Sequence, residues 1–213
     1  MSRFALPAAA LLVAVTALAL PRPAVAQGPD AAGEPAAFQL SLWESVQIVD
    51  RQRSIHGLRL ALPYGRNRNL QGVDLGIVTR LDGDLAGAQL GVAGIVDGSV
   101  TGVQFNWLLS TAGPVHGLQW SAVNMARSYE GAQLGVVNYV DGKSVGGRFG
   151  LANISLAEVR GADFGVVNYA ARVEGVQLGF VNITEHLHGL QIGLINVAPN
   201  GFLPVFVIFN AAL

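Results

Sequence analysis

The chain has no cysteine and carries little charge. The absence of cysteine excludes a disulfide framework, although an exported protein could have used one. Charged residues make up 13% of the chain, about half of the ~25% that is usual for a soluble domain. The net charge of −1 and the lack of a basic cluster argue against nucleic acid as a partner. So little charge indicates that the protein either buries an unusual share of its surface or contacts lipid.

The N-terminal residues have the pattern of an export signal. An apolar run over residues 8–20 follows a positively charged residue and precedes Ala-Val-Ala at 24–26. The run is too short for a membrane-spanning helix, so we predict that residues 1–26 are a secretory signal peptide. Residues 27–37 are rich in Gly, Pro and Ala, which predicts a flexible leader. The rest, 38–213, is of a length that suits one domain.

A phrase of the form Gly–apolar–polar–apolar–Gly–apolar–apolar–Asn recurs every 14 or 15 residues. Well-matched copies are GAQLGVVN (131–138), GVQLGFVN (175–182) and GLQIGLIN (189–196). A regular period of this kind predicts a repeat architecture. We number positions from the opening glycine, position 0. These glycines are Gly57, Gly72, Gly87, Gly102, Gly117, Gly131, Gly146, Gly161, Gly175 and Gly189.

Each repeat alternates like a β-strand. Positions +1, +3 and +5 are apolar, position +2 is always polar or charged, and position +4 is small or short. This period of two excludes the stripe of an amphipathic helix. Alternating segments also flank the repeats, over 38–49 and 205–213. The sequence therefore predicts an all-β domain of about 12 strands, ten of which come from the repeats.

Two arrangements of these strands are compatible with the repeat. The phrase is nearly symmetrical about +3, which in an antiparallel pair places like residues opposite each other. The three or four residues left between strands are common lengths for hairpin loops. Closing the sheet into a barrel also removes its exposed edges. We therefore predict a shallow closed antiparallel meander β-barrel. The alternative is a parallel β-solenoid with one repeat in each coil.

The residues at position +2 are the main candidate for a functional site, as a polar ring inside the barrel. Their charged members form two pairs of opposite sign in successive repeats, Arg59 with Asp74 and Arg148 with Asp163. The ring could be a polar lumen or ligand-binding floor, or its charges could only compensate one another in a crowded interior. The members are Arg59, Asp74, Gln89, Gln104, Gln119, Gln133, Arg148, Asp163, Gln177 and Gln191.

No other motif predicts chemistry. His186 and His188 lack a third metal ligand in the sequence, so we expect solvated histidines and no metal site. No nucleophile–base pattern, paired-carboxylate pocket or phosphate-binding loop is present. We expect neither a catalytic residue nor a cofactor, and we do not expect an enzyme.

The repeat resembles that of the bacterial surface-repeat proteins, as do SIHGLRLALPYGRNRN at 54–69 and LPVFVIFN at 203–210. That family is predicted to form shallow symmetric barrels called β-flowers. The resemblance implies a location in the bacterial envelope and a shallow antiparallel barrel, and the family brings no established enzymatic activity, so no residue inherits a catalytic role. We therefore expect an outer-membrane or surface-associated protein with a structural, adhesive or permeability role and a membrane or lipid partner. The alternative is a soluble periplasmic barrel that binds a lipid or another hydrophobic ligand.

Overall fold

A computed structural model describes residues 33–43 and 46–213; the predicted signal peptide lies outside this range. The described residues form strands and turns, and no helix among them is long and apolar enough to cross a membrane. The strands are β1 (Ala36–Trp43), β2 (Val46–Gln47), β3 (Ile55–Asn67), β4 (Leu70–Leu81), β5 (Leu85–Val96), β6 (Val100–Trp120), β7 (Val123–Leu134), β8 (Val137–Val140), β9 (Ser144–Phe149), β10 (Ala152–Phe164), β11 (Val167–Leu178), β12 (Val181–Val197) and β13 (Val205–Ala212).

The repeats stack in parallel, and equivalent positions lie beside each other. Gly72 pairs with Gly57 on one side and with Gly87 on the other. The same register continues through β12. Among the described strands, only β2 on β1 and β13 on β12 pair antiparallel. The domain is therefore a parallel β-solenoid, and the prediction of an antiparallel barrel was wrong.

The barrel prediction failed because each repeat is not one straight strand. Positions +2 and +7 are both buried, as in Gln133 and Asn138. Residues five apart on a straight strand point to opposite faces, so the chain must turn between them. Each coil therefore has a first leg, positions −2 to +3, and a second leg, positions +6 to +9, with a corner at +4 and +5. The antiparallel register that the symmetry about +3 predicts, with position +2 opposite +4, does not occur between the repeats.

The two legs face each other across the core. From the first leg, Gln104 Nε2 donates to the carbonyl of Thr111 (3.5 Å) and Arg148 Nη1 donates to that of Ile154 (3.0 Å), both on the second leg. The apolar part of the core comes from position −2 of the first leg and +9 of the second. Members of the larger apolar cluster include Ile55, Leu70, Leu81, Leu85, Val96 and Val100. These contacts close each coil without an antiparallel neighbour.

The predicted turns divide into two kinds. Four-residue turns are predicted at 81–84, 96–99 and 140–143, each with Asp-Gly; their last three residues lie between strands, where they join one coil to the next. The three-residue turns predicted at 126–128, 170–172 and 184–186 lie inside β7, β11 and β12. The second group was misassigned because its length matched a hairpin loop, whereas the backbone there continues in the extended conformation.

The opening glycine is required by the backbone and by the neighbouring coil. Gly117 has φ of +141°, in a region that side chains with a Cβ disfavour. A Cβ at this residue would lie 2.0 Å from the carbonyl oxygen of Gly102 in the preceding coil. The other nine opening glycines also have positive φ. The glycine period therefore reflects in-register stacking of coils.

Substitution of an opening glycine tests this stacking. We expect Gly117→Ala to lower the thermal unfolding midpoint by several degrees or more, because the clash is with backbone and a positive φ alone costs about 1–2 kcal/mol. Circular dichroism measures the midpoint. The control is His116→Ala, at an exposed neighbouring residue, which should leave the midpoint within about one degree, as is usual for surface substitutions. Equal midpoints for the two variants would contradict the stacking.

Candidate functional surface

The ten predicted site residues form a straight line inside the solenoid, not a ring around a lumen. All ten are 0–1% exposed. Each lies beside its equivalent in the next coil, as Gln119 does beside Gln104 and Gln133. We call this line the +2 ladder. Because solvent does not reach it, the ladder offers no binding floor for a ligand.

Side-chain amides connect the glutamines of the +2 ladder. Four of the amide nitrogens donate to the amide oxygen of the preceding coil, over 2.7 to 2.9 Å, and those of Gln89 and Gln177 donate to the carboxylates of Asp74 and Asp163. Stacked amides of this kind satisfy polar groups that would be costly to bury alone. The bonds run from Gln104 to Gln89, from Gln119 to Gln104, from Gln133 to Gln119 and from Gln191 to Gln177.

Two buried ion pairs interrupt the glutamines. Arg59 donates to both carboxylate oxygens of Asp74, over 2.7 and 2.6 Å. Arg148 binds Asp163 in the same way, over 2.8 Å at each oxygen. Paired, bidentate geometry is what makes a buried charge tolerable. The charges therefore compensate one another within the core, and their burial places them away from any ligand.

A second ladder runs along position +7 and was not predicted as a core feature. Asn124, Asn138, Asn153, Asn168, Asn182 and Asn196 are all 0% exposed. Each of the first five donates to the amide oxygen of the next, over 2.8 to 2.9 Å. The same nitrogens also donate to main-chain carbonyls of the next coil, over 2.8 to 3.0 Å. These asparagines lie in the core because the second leg points position +7 inward.

The flanking strands extend the +2 ladder by one residue at each end. Gln39 pairs with Arg59 and Asn210 pairs with Gln191, and both are fully buried. Sequence reasoning missed both because it treated the flanking strands separately from the repeats. The alternation of Phe38, Gln39 and Leu40 at the spacing of positions +1 to +3 was a signal that could have found the first.

The apolar positions +1, +3 and +5 lie on the outside of the first leg and the corner. None of the thirty residues at these positions in the ten repeats is charged. Trp107 is 68% exposed and Phe180 is 60% exposed. Phe38 and Leu40 from β1, with Phe209 from β13, continue the same rows. We call this continuous face the outer apolar surface.

The outer apolar surface is large for a protein in water. Twelve strands spaced ~4.8 Å apart make it about 53 Å long, and four residue steps make it about 13 Å wide. The resulting area of about 700 Å² exceeds the few hundred Å² that soluble monomers usually expose in one patch. From β7 onward the outward side chains of the second leg are also largely apolar, as Val137 and Ile154 are. The apolar surface therefore continues around the corner in the C-terminal half.

Polar side chains lie at the turns and at position −1, at the end of the first leg away from the corner. This side includes the ion pairs of Arg160 with Glu174 (2.8 Å) and of Arg80 with Asp97 (2.7 Å). His186 and His188 are exposed there. Within the described residues no group of three or more acidic or histidine side chains is placed to hold a metal ion. Each coil thus has a water-facing turn side and an apolar corner.

Comparison with known protein families, with curated proteins and with solved structures finds no match to this chain. The architecture remains that of a repeat β-protein with asparagine and glutamine ladders. The surface-repeat resemblance rests on the motifs alone.

Proposed function

We propose that this protein is a non-enzymatic component of the bacterial envelope that is exported and attaches to lipid through the outer apolar surface. The observation that carries the proposal is that this surface is exposed or half-buried, and uncharged, in all ten repeats. The polar turns lie at the other end of the coil from the corner. A protein with one apolar and one polar region has a lower free energy at a boundary between lipid and water, because its apolar surface is removed from water there.

The composition of the surface favours lipid over a protein partner. Protein interfaces carry about one hydrogen bond per 100–200 Å², so a surface of this size would present several polar groups. At positions +1, +3 and +5 of the repeats, only Trp107 and Trp120 have a hydrogen-bonding side chain. Lipid requires none, and tryptophan is enriched where membranes meet water.

Backbone pairing also fits a lipid environment. Main-chain polar groups in hydrocarbon need hydrogen-bond partners within the protein, and in-register neighbours supply them along the inner coils. The outer apolar surface is about 13 Å wide, less than half of the ~30 Å hydrocarbon core. In this proposal the corner of each coil lies in one leaflet, and the turns remain in water.

Binding of a single lipid by a soluble protein is the alternative. The +2 and +7 ladders fill the interior with polar groups that bond one another. A soluble carrier would therefore hold its ligand on the same outer surface. Binding to vesicles supports membrane attachment, whereas lipid that co-purifies with a soluble protein supports the carrier.

The test is flotation of the mature chain, residues 27–213, with vesicles of phosphatidylethanolamine and phosphatidylglycerol. We expect the unaltered protein to float with the vesicles. Leu178→Asp combined with Phe180→Asp should reduce the bound fraction at least tenfold, because a carboxylate in hydrocarbon costs about 2.5–3.5 kcal/mol. Both residues are exposed in the fold, so the variant should keep its circular dichroism spectrum.

A matched control places two aspartates on the polar side, by Thr101→Asp and His188→Asp. Both residues are exposed at position −1, and this variant should float as the unaltered protein does. Unaltered protein that stays in solution without bound lipid would refute lipid attachment. Protein that stays in solution with lipid bound would identify the soluble carrier.

A further inference from the structure

The outward face of the second leg is apolar in the C-terminal half of the solenoid. Positions +7 and +9 of this leg are buried, so positions +6 and +8 point outward. From residue 123 onward no residue at either position is charged. We call these residues the second apolar surface. Position +6 contributes Val123, Val137, Ala152, Val167, Val181 and Ile195, and position +8 contributes Met125, Tyr139, Ile154, Tyr169, Ile183 and Val197.

The same face is charged in the first coils. Arg66 pairs in register with Arg80, and Arg80 pairs with Ile95, so these residues occupy the +8 row. Arg66 Nε donates to Asp82 over 2.9 Å, and Arg80 Nη2 donates to Asp97 over 2.7 Å. These side chains are 29–45% exposed, and moving such pairs out of water is costly. The second leg of the N-terminal half is therefore suited to water, whereas that of the C-terminal half is suited to lipid.

We infer that the second apolar surface also contacts lipid, so that the C-terminal half of the solenoid lies deeper in the leaflet than the N-terminal half. This inference rests on the proposed attachment through the outer apolar surface, which the second apolar surface joins at the corner. Positions +5 and +8 are three residue steps apart, which makes the difference in depth about 10 Å. The coils of Arg80 and Ile183 are about 34 Å apart along the solenoid, so its axis tilts by about 16°.

The tryptophans and tyrosines follow this tilt. Both residue types are enriched where membranes meet water. Trp107 lies at the corner of a coil in the N-terminal half, where Trp120 packs edge-on against it with 6.3 Å between ring centroids. In the C-terminal half Tyr139 and Tyr169 lie on the second leg, three positions beyond the corner. The corner residues there have no polar atom in their side chains; they are Val136, Leu151, Val166, Phe180 and Leu194. The aromatic boundary thus moves from the corner to the second leg along the solenoid.

The area of the second apolar surface favours lipid over a protein partner. Six strands and two residue steps make this surface about 24 Å long and about 7 Å wide, or about 160 Å². A stable protein interface buries about 800 Å² of each partner. The second apolar surface is too small for such an interface, but it extends the outer apolar surface without an intervening charge. Lipid that covers one of the two surfaces therefore covers both.

Site-directed labelling of the mature chain, residues 27–213, measures the depth of each half. The chain has no cysteine, so a single introduced cysteine carries the polarity-sensitive fluorophore NBD to one position. Ile183→Cys probes the second apolar surface, and Ile95→Cys is its matched control, because both are half-buried isoleucines in the +8 row. On vesicles of phosphatidylethanolamine and phosphatidylglycerol, emission at position 183 should rise about twofold or more, because the label leaves water for hydrocarbon. Emission at position 95 should stay as in water.

Lipids with a nitroxide in the middle of the acyl chain compare the two corners. Ile77 and Leu194 are both exposed at position +5, so both labels should enter lipid. The nitroxide should quench the label of Leu194→Cys more strongly than that of Ile77→Cys, because the C-terminal corner lies deeper.

Two double variants test the same surface without a label. Ile154→Asp with Ile183→Asp should lower the vesicle-bound fraction about tenfold or more, because carboxylates are costly in hydrocarbon. Ile95→Asp with Thr111→Asp places the same charges in the N-terminal part of the +8 row and should float as the unaltered protein does. Circular dichroism checks that both variants fold.

The outcomes separate this inference from the proposed function. Equal emission changes at positions 95 and 183, equal quenching at positions 77 and 194, or equal flotation of the two folded double variants would each overturn the tilt. The proposed attachment would survive any of these results, provided that the unaltered protein floats. Unaltered protein that stays in solution would overturn both the attachment and the tilt that rests on it.

Discussion

Asp163→Ala is expected to lower the free energy of unfolding by about 3–5 kcal/mol, the usual cost of breaking a buried ion pair by removing one partner. The guanidinium of Arg148 would lose both of its bonds to Asp163 while remaining 1% exposed. Its remaining bond, to the carbonyl of Ile154, does not neutralise the charge. Equilibrium denaturation followed by circular dichroism measures the loss.

A double substitution should restore most of that stability. Arg148→Gln with Asp163→Gln extends the amide ladder, because glutamine already occupies position +2 in the coils on both sides, at Gln133 and Gln177. The amide oxygen of Gln133, buried without a hydrogen-bond partner, would gain a donor at position 148. We expect the double variant to lie within about 1 kcal/mol of the unaltered protein, since replacing both members of a buried pair is often neutral.

The exposed ion pair between Arg160 and Glu174 provides the control. Their side chains are 48% and 37% exposed, and surface pairs contribute about 0–1 kcal/mol. We expect Glu174→Ala to cost less than 1 kcal/mol on this basis. If Asp163→Ala cost no more than Glu174→Ala, the pair of Arg148 and Asp163 would not be buried as described.

Asn153→Ala is expected to cost about 2–4 kcal/mol, because each buried polar group left without a partner costs about 1–3 kcal/mol. The side chain of Asn153 donates to the carbonyl of Phe164 over 3.0 Å and to Asn168 Oδ1 over 2.8 Å. It also accepts the bond from Asn138. One substitution therefore disrupts the +7 ladder in both directions, and denaturation by urea would measure the loss.

Thr79→Ala is a control at the same position of an earlier coil. Thr79 is also fully buried, but its hydroxyl has no hydrogen-bond partner. Removing it leaves no further group unsatisfied, so the cost should stay near 1 kcal/mol, the value for a buried methyl group. Similar losses for the two variants would show that volume, and not the amide ladder, determines stability at position +7.

The repeat made the strands and the charge pairs predictable from the sequence. Arg59 and Asp74 occupy equivalent positions 15 residues apart, so any in-register parallel stacking places them together. The symmetry about +3 led instead to an antiparallel pairing, in which +2 lies opposite +4. Identical residues in successive copies, glutamine at +2 and asparagine at +7, were the stronger signal, because amide ladders need like beside like in neighbouring strands.

The outer surface could not be assigned from the pattern alone. Alternation separates residues such as Leu178 from Gln177, but it does not say which of the two faces water. In most soluble sheets the apolar residue would be buried, whereas here Gln177 is fully buried and Leu178 is 44% exposed. The polar residue is tolerated inside because its neighbours in the stack satisfy its hydrogen bonds.

The sequence by itself determined the length of the coil, the extended backbone and the residues that are equivalent between coils, because these follow from period and alternation along the chain. The tertiary structure decided the direction of stacking, the corner between the legs and the face that lies inside. These depend on contacts between residues of different coils, such as the stacked amides of Gln119 and Gln133 and the approach of Gly117 to Gly102. No local feature of one repeat specifies them.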